Sequence, residues 1–311
     1  MSYPPRAHIV EVGPRDGLQS EETTISTEAK VELIDRLSTS GLTHIEVTAF
    51  VNPAKIPQLA DAEEVCKRIE RRPGVTYSAL VPNVKGYERA IGDAELRDIA
   101  VFTAASETYN QKNIGTSIEG AFERYHEVTE RANADGVRVR GYVSMAFGCA
   151  YEGFVPRERV IEVTRRLLDM GCYQISLGDT AGLGNPAQVA QTVEMLRDAG
   201  VESEQIALHL HDTLGTGLAN ALAGLQSGVT TFDSSLGGLG GSPYAPGASG
   251  NLATEELVYM LEEMGTGTGV DLETILQAAE GVARALRKEL PSRYLKATRA
   301  TAAREAGEAS S

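Results

Sequence analysis

Apolar, β-branched runs recur along the chain, each followed by a polar loop and then by apolar positions at helical spacing. They predict strands at residues 8–13, 43–50, 76–81, 99–104, 138–146, 173–177, 206–211 and 230–234. Helices are predicted between them at 27–40, 56–69, 118–134, 156–170, 186–199 and 217–227. Ser26 or Thr27, Pro156 and Pro186 supply start signals, because a hydroxyl caps free amides and proline lacks the amide a first turn leaves unused. Gly41, Gly136, Gly171, Gly200 and Gly228 stand where a left-handed residue ends a helix. Eight strands alternating with helices over about 250 residues fit a closed (β/α)8 barrel better than an open doubly wound sheet. A dinucleotide fold would also place a Gly-x-Gly-x-x-Gly turn after its first strand, and Val12-Gly13-Pro14-Arg15-Asp16 is not one. Further helices at 254–264 and 272–290 extend the pattern. The expected architecture is α/β, a TIM barrel with extra C-terminal helices forming one catalytic domain over residues 1–296. The small, polar stretch 297–311 reads as a disordered tail.

Charge narrows the partners. Asp and Glu number 43 against 29 Lys and Arg, a net charge of −14, which argues against nucleic acid and against an anionic membrane surface. No apolar run is long enough for a transmembrane helix, and residues 1–6 lack the apolar segment of a signal peptide. Cys66, Cys149 and Cys172 are odd in number and widely spaced, so no disulfide framework or zinc pattern is expected and a reducing cytoplasm is the default.

His209 and His211 stand two apart on a predicted strand, so both point to one side. Such a pair suits a divalent metal, or equally a hydrogen-bonded pair inside a core. A barrel gathers its chemistry at the C-terminal ends of the strands. That rim would hold Arg15 and Asp16, Glu46, Ser106 and Glu107, Asp179, the two histidines and the glycine-rich loop 237–251. Asp16, His209, His211 and an amide oxygen offer mixed N/O ligands without thiolate, which suits Mg2+ or Mn2+ as well as Zn2+. The predicted strand 173–177 has no lysine for a Schiff base, which turns the reading toward metal-assisted carbon–carbon chemistry. The loop 237–251 reads as a lid over substrate or, more simply, as a long ordered turn.

The stretch from Glu11 to Gln19 (Glu-Val-Gly-Pro-Arg-Asp-Gly-Leu-Gln), His209-Leu210-His211-Asp212-Thr213 and the loop 237–251 together resemble the 3-hydroxy-3-methylglutaryl-CoA lyase family. That family belongs to a superfamily of barrel metalloenzymes that includes isopropylmalate and homocitrate synthases. The resemblance runs from about residue 8 to 270 and includes Gly141-Tyr142-Val143-Ser144, Tyr151-Glu152-Gly153, Gly178-Asp179-Thr180 and Ser249-Gly250-Asn251. It implies an acyl-CoA substrate, a homodimer, and Mg2+ or Mn2+ held by Asp16, His209, His211 and Asn251. Arg15 would face the thioester carbonyl, Glu46 would orient the metal site or substrate, and Asp179 maps to a position important in the family. The implied reaction breaks the C2–C3 bond of 3-hydroxy-3-methylglutaryl-CoA to give acetyl-CoA and acetoacetate. Lys112 and Asn113, after the fourth strand, are candidates for the CoA phosphates, with a plain surface lysine as the alternative.

One position departs from the family pattern. Where these lyases carry a catalytic cysteine in the glycine-rich loop, this chain has Ser242. A thiol of pKa about 8.5 exchanges protons near neutrality, and an aliphatic hydroxyl is a far weaker acid. Three enzymatic readings follow: the same lyase with Ser242 relaying a proton through water, a lyase for citramalyl-CoA or another 3-hydroxy-3-methyl acyl-CoA, and a condensing enzyme. The last ranks lowest, because condensing relatives add a regulatory domain for which residues beyond 290 leave no room. A silent acyl-CoA-binding paralogue is disfavoured by the complete set of metal-binding residue types. Cys149 reads as a small loop residue.

Overall fold

β1 (His8–Glu11) closes the barrel by pairing with both β2 (His44–Ala49) and β8 (Thr231–Ser234), every ladder being parallel. The computed structural model describes residues 3–241 and 250–308. Between β2 and β8 run β3 (Thr76–Leu80), β4 (Asp98–Ala104), β5 (Arg138–Ser144), β6 (Gln174–Gly178) and β7 (Ile206–His209), in sequence order around the barrel. Each predicted strand is present. A parallel strand needs a crossover before its neighbour, and helices supply it. These are α1 (Thr27–Leu37), α2 (Ala62–Arg68), α3 (Val84–Glu88), α4 (Glu107–Ile114), α5 (Ile118–Ala134), α6 (Arg157–Asp169), α7 (Pro186–Asp198) and α8 (Gly217–Gln226).

Strand alternation divides the residues into two populations. Ile45, Val47, Val139, Ile175, Leu177, Leu208 and Phe232 face outward and form the main core with the helices. Many inward positions are polar: Arg140, Gln174, Ser176, His209, Thr231 and Asp233 are all buried, beside a small apolar group that includes Ala49, Leu80 and Ala100. Arg140 is held in the barrel by Asp233, Gln174 and Tyr142. Barrel interiors are ordinarily filled by branched apolar side chains. A desolvated ion pair adds little stability over such packing, so these charges call for a reason other than stability.

Four elements differ from the sequence reading. Residues 56–69 form a 3-10 turn at Pro57–Leu59 and a separate α2, with Asp61 between them accepting the Thr27 hydroxyl at 2.7 Å. α3 and α4 are too short for periodicity to mark them. The expected disordered tail is helical as far as Glu308: α11 (Arg293–Glu308) follows α9 (Thr254–Glu263) and α10 (Leu272–Leu286). Its small residues are mostly alanine, the strongest helix former, and neither glycine nor proline interrupts it before Gly307. Leu295 is buried, and Arg299 Nε donates to Glu280 Oε1 of α10 at 3.2 Å. No helix among the described residues is long and apolar enough to cross a membrane.

Candidate active site

A cavity of about 470 Å3 opens at the C-terminal ends of the strands. Arg15, Asp16, His209, His211, Tyr142 and Asn251 all line it. Arg15 and Asp16 sit in a single π-helical turn, Gly13–Gly17, whose amides at 15, 16 and 17 all fold back on the Val12 carbonyl. Gly13 is required there, because a Cβ would come within 2.3 Å of Leu236 Cδ2. β7 ends at His209, so His211 lies beyond the ladder and is instead bridged antiparallel to Asn251. That bridge brings the far end of the glycine-rich loop back onto the site. Gly240 permits the close approach: it adopts φ +91°, and a Cβ would meet Asn251 Nδ2 at 2.6 Å.

The two imidazoles face each other with Nε2 atoms 3.3 Å apart. Asp16, His209 and His211 each bring a ligand atom within 4.8 Å of the others. Asn251 Nδ2 donates to Asp16 Oδ2 at 2.9 Å and to the Leu239 carbonyl at 3.0 Å. The Arg15 guanidinium donates from Nη1 to Asp16 Oδ1 and from Nη2 to Glu46 Oε2, the latter at 2.9 Å. Its buried Nε has no hydrogen-bond partner among the described residues. Glu46 Oε2 also accepts the Tyr142 hydroxyl at 2.8 Å. Glu46 therefore holds the arginine and stands outside the cluster of ligand atoms.

Other expected residues fall differently. Asp179 is buried but does not line the cavity; its carboxylate accepts the amides of Leu183 and Gly184 at 3.0–3.1 Å, while its neighbours Gly178 and Thr180 do line it. Asn113 lines the cavity, whereas Lys112 points its ammonium at the Tyr151 ring, 5.0 Å from the centroid. Cys149 is fully buried, its Sγ 3.0 Å from Ser106 Oγ. Ser242 lies outside the described residues. Lys55 and Arg124 also line the cavity and were missed, since no motif marks them, and Tyr142 was read only as part of a motif. Glu11 was read only as part of a motif, yet it ties together both sides of the site. Its Oε1 accepts Gly13 N–H at 2.7 Å and Leu236 N–H at 3.0 Å, and its Oε2 accepts the Thr254 hydroxyl at 2.6 Å. Burial pushes its carboxyl up to about 7 in spite of these donors.

Comparison with known proteins decides the family. A profile described as HMGL-like matches residues 6–282. The chain belongs to the HMGL-like family. It is 48% identical to human mitochondrial hydroxymethylglutaryl-CoA lyase, over 96% of this chain and 91% of that one. A crystal structure of the Bacillus subtilis HMG-CoA lyase superposes with a TM-score of 0.94 at 49% identity, covering 96% of this chain and all of that one. An HMG-CoA lyase from Acinetobacter baumannii, solved with coenzyme A and 3-methylmalate, gives 0.90 at 39% identity, with 96% of each chain covered. This HMGL-like chain is accordingly a carbon–carbon lyase acting on an acyl-CoA. These relatives favour hydroxymethylglutaryl-CoA over citramalyl-CoA as its substrate.

Lyases of the HMGL-like family depend on a metal, and the donor set here fits one. Burial, reinforced by His209, lowers His211 to about 3, so this imidazole is neutral and keeps a lone pair for a cation. Burial would raise the Asp16 carboxyl, but Arg15 and His209 outweigh it and bring it to about 2. One ionised carboxylate and two converging imidazole nitrogens form the kind of N/O set that divalent cations take.

Proposed function

We propose that this protein cleaves 3-hydroxy-3-methylglutaryl-CoA between C2 and C3, releasing acetoacetate and acetyl-CoA, with Mg2+ or Mn2+ as its metal. The observation that carries this reading is the convergence of Asp16, His209 and His211 on the floor of a cavity whose neighbouring wall is the Arg15 guanidinium. Asp16 and the two histidines would hold the cation, with Asn251 beside them. A divalent cation bound there supplies Lewis-acid stabilisation for oxygens that become negative.

The chain's own groups account for the rest. Arg15 is locked by Asp16 and Glu46 at the cavity wall, where its guanidinium charge would stabilise the thioester oxygen as the C2 enolate develops. Because a guanidinium stays charged, this stabilisation does not depend on a proton equilibrium. Leu80, Phe102, Tyr142 and Val143 line the cavity with apolar surface, where such interactions are stronger than in water. The 3-hydroxyl gives up its proton as the bond breaks, and C2 gains one. We assign the second transfer to Ser242 acting through water. Ser242→Cys is then expected to raise kcat by about tenfold, a thiol being the better acid near neutrality. An unchanged or lower kcat assigns the proton to another group. The family resemblance also implies a homodimer, and three free buried cysteines accord with a reducing cytoplasm.

The test is a panel of 3-hydroxyacyl-CoA thioesters followed by mass spectrometry. Acetyl-CoA and acetoacetate are expected from 3-hydroxy-3-methylglutaryl-CoA, at a higher kcat/KM than for any other member. Faster release of pyruvate from citramalyl-CoA would overturn the substrate assignment.

A further inference from the structure

We infer that Asp233, clamped by Arg140 and Ser176 inside the barrel, is a positioning residue that fixes the tautomer of His209 and so presents its Nε2 lone pair to the cation site. The inference rests on the metal site proposed above. His209 and Asp233 are register partners on the adjacent strands β7 and β8, so their side chains emerge side by side on the inner face. Asp233 Oδ2 lies 3.4 Å from His209 Nδ1, while His209 Nε2 faces His211 Nε2 at 3.3 Å and Asp16 Oδ2 at 3.8 Å. The two ring nitrogens thus look onto different chemistry.

Asp233 has little freedom. Arg140 donates Nη2 to its Oδ1 at 2.7 Å and Nη1 to its Oδ2 at 3.1 Å, and Ser176 Oγ donates to Oδ2 at 2.7 Å. Both Asp233 oxygens accept from the Arg140 guanidinium, the pairing of a carboxylate with its counter-ion, so Asp233 offers only lone pairs toward Nδ1. An ionised carboxylate only accepts hydrogen bonds. The proton of a neutral His209 therefore belongs on Nδ1, and Nε2 is left bare on the side where a cation binds. This also gives a reason for a desolvated Arg–Asp pair in a place where apolar side chains would pack at least as well.

The test uses Asp233→Asn and Ser176→Ala in the whole protein. An asparagine that turns its amide toward Nδ1 favours the opposite tautomer, with the proton on Nε2. Mn2+ affinity of the metal-stripped protein, measured by titration calorimetry, is expected to fall about 10- to 100-fold in Asp233→Asn. A loss of a few-fold is expected in Ser176→Ala, which keeps both charges. In the metal-free, 15N-histidine-labelled protein at alkaline pH, the His209 ring nitrogens are expected to report Nδ1–H in the wild type and a shift toward Nε2–H in Asp233→Asn. If Asp233→Asn fails to fold, Ser176→Ala is judged on the same two readouts, since its charges remain paired. Wild-type affinity in the folded variants overturns the assignment, as does lost affinity with an unchanged His209 tautomer. A wild-type protein that binds no Mn2+ would instead sink the metal site itself, so the two failures are distinct.

Discussion

Stripped of divalent cations by EDTA, the protein is expected to lose cleavage of 3-hydroxy-3-methylglutaryl-CoA by about a thousandfold or more, and to regain it on addition of Mn2+ or Mg2+. A Lewis acid at a developing negative oxygen contributes several kcal/mol, and each ~1.4 kcal/mol is tenfold in rate. Arg15 remains in place after chelation, but its charge alone does not supply the Lewis acidity of a cation that Asp16, His209 and His211 would hold. The measurement is acetyl-CoA release against total metal content. Full activity in protein with metal well below stoichiometry would falsify the metal-dependent mechanism.

Replacing Arg15 by glutamine is expected to lower kcat by about a hundred- to a thousandfold while KM changes much less, because the lost donor acts mainly on charge that appears in the transition state. Two effects add to the loss. Glu46 keeps only the Tyr142 hydroxyl as a donor, and Asp16 loses its buried counter-ion. Arg15→Lys is a sharper comparison. It keeps the charge, but a single ammonium does not reproduce a planar fork that bridges two carboxylates. We expect Arg15→Lys to recover only a small part of the lost rate. A lysine variant with near wild-type kcat would show that charge alone, not the fork, is what matters at this position.

The barrel was readable because strand and helix periods differ, and the helix-ending glycines mark the changes between them. Asp16, His209, His211 and Asn251 were readable because each lies in a local motif and the barrel gathers strand ends at one rim. Asp179 shows the limit of that logic. It sits between two cavity-lining residues, but its side chain turns back to build the following loop. Lys112 and Asn113 show another, since consecutive residues on a helix differ in direction by about 100° and one faces the cavity while its neighbour does not. Arg140, Tyr142 and Asp233 were least visible. At inward strand positions they look like interruptions of an apolar pattern, and their meaning depends on partners up to 96 residues away. The helical tail was misread because small residues suggest disorder unless their identity as alanine is weighed.

Glu11 and Asp16 are translated long before their partners Leu236, Asn251 and Thr254. Asp16 and Asn251 are 235 positions apart, a delay of about 12–47 s at ~5–20 residues per second of translation. Through that interval the nascent chain carries the Glu11 carboxylate without its late donors and Arg15 beside an unfinished cavity. A nascent chain halted before β8 thus has no complete site with which to capture either cation or thioester.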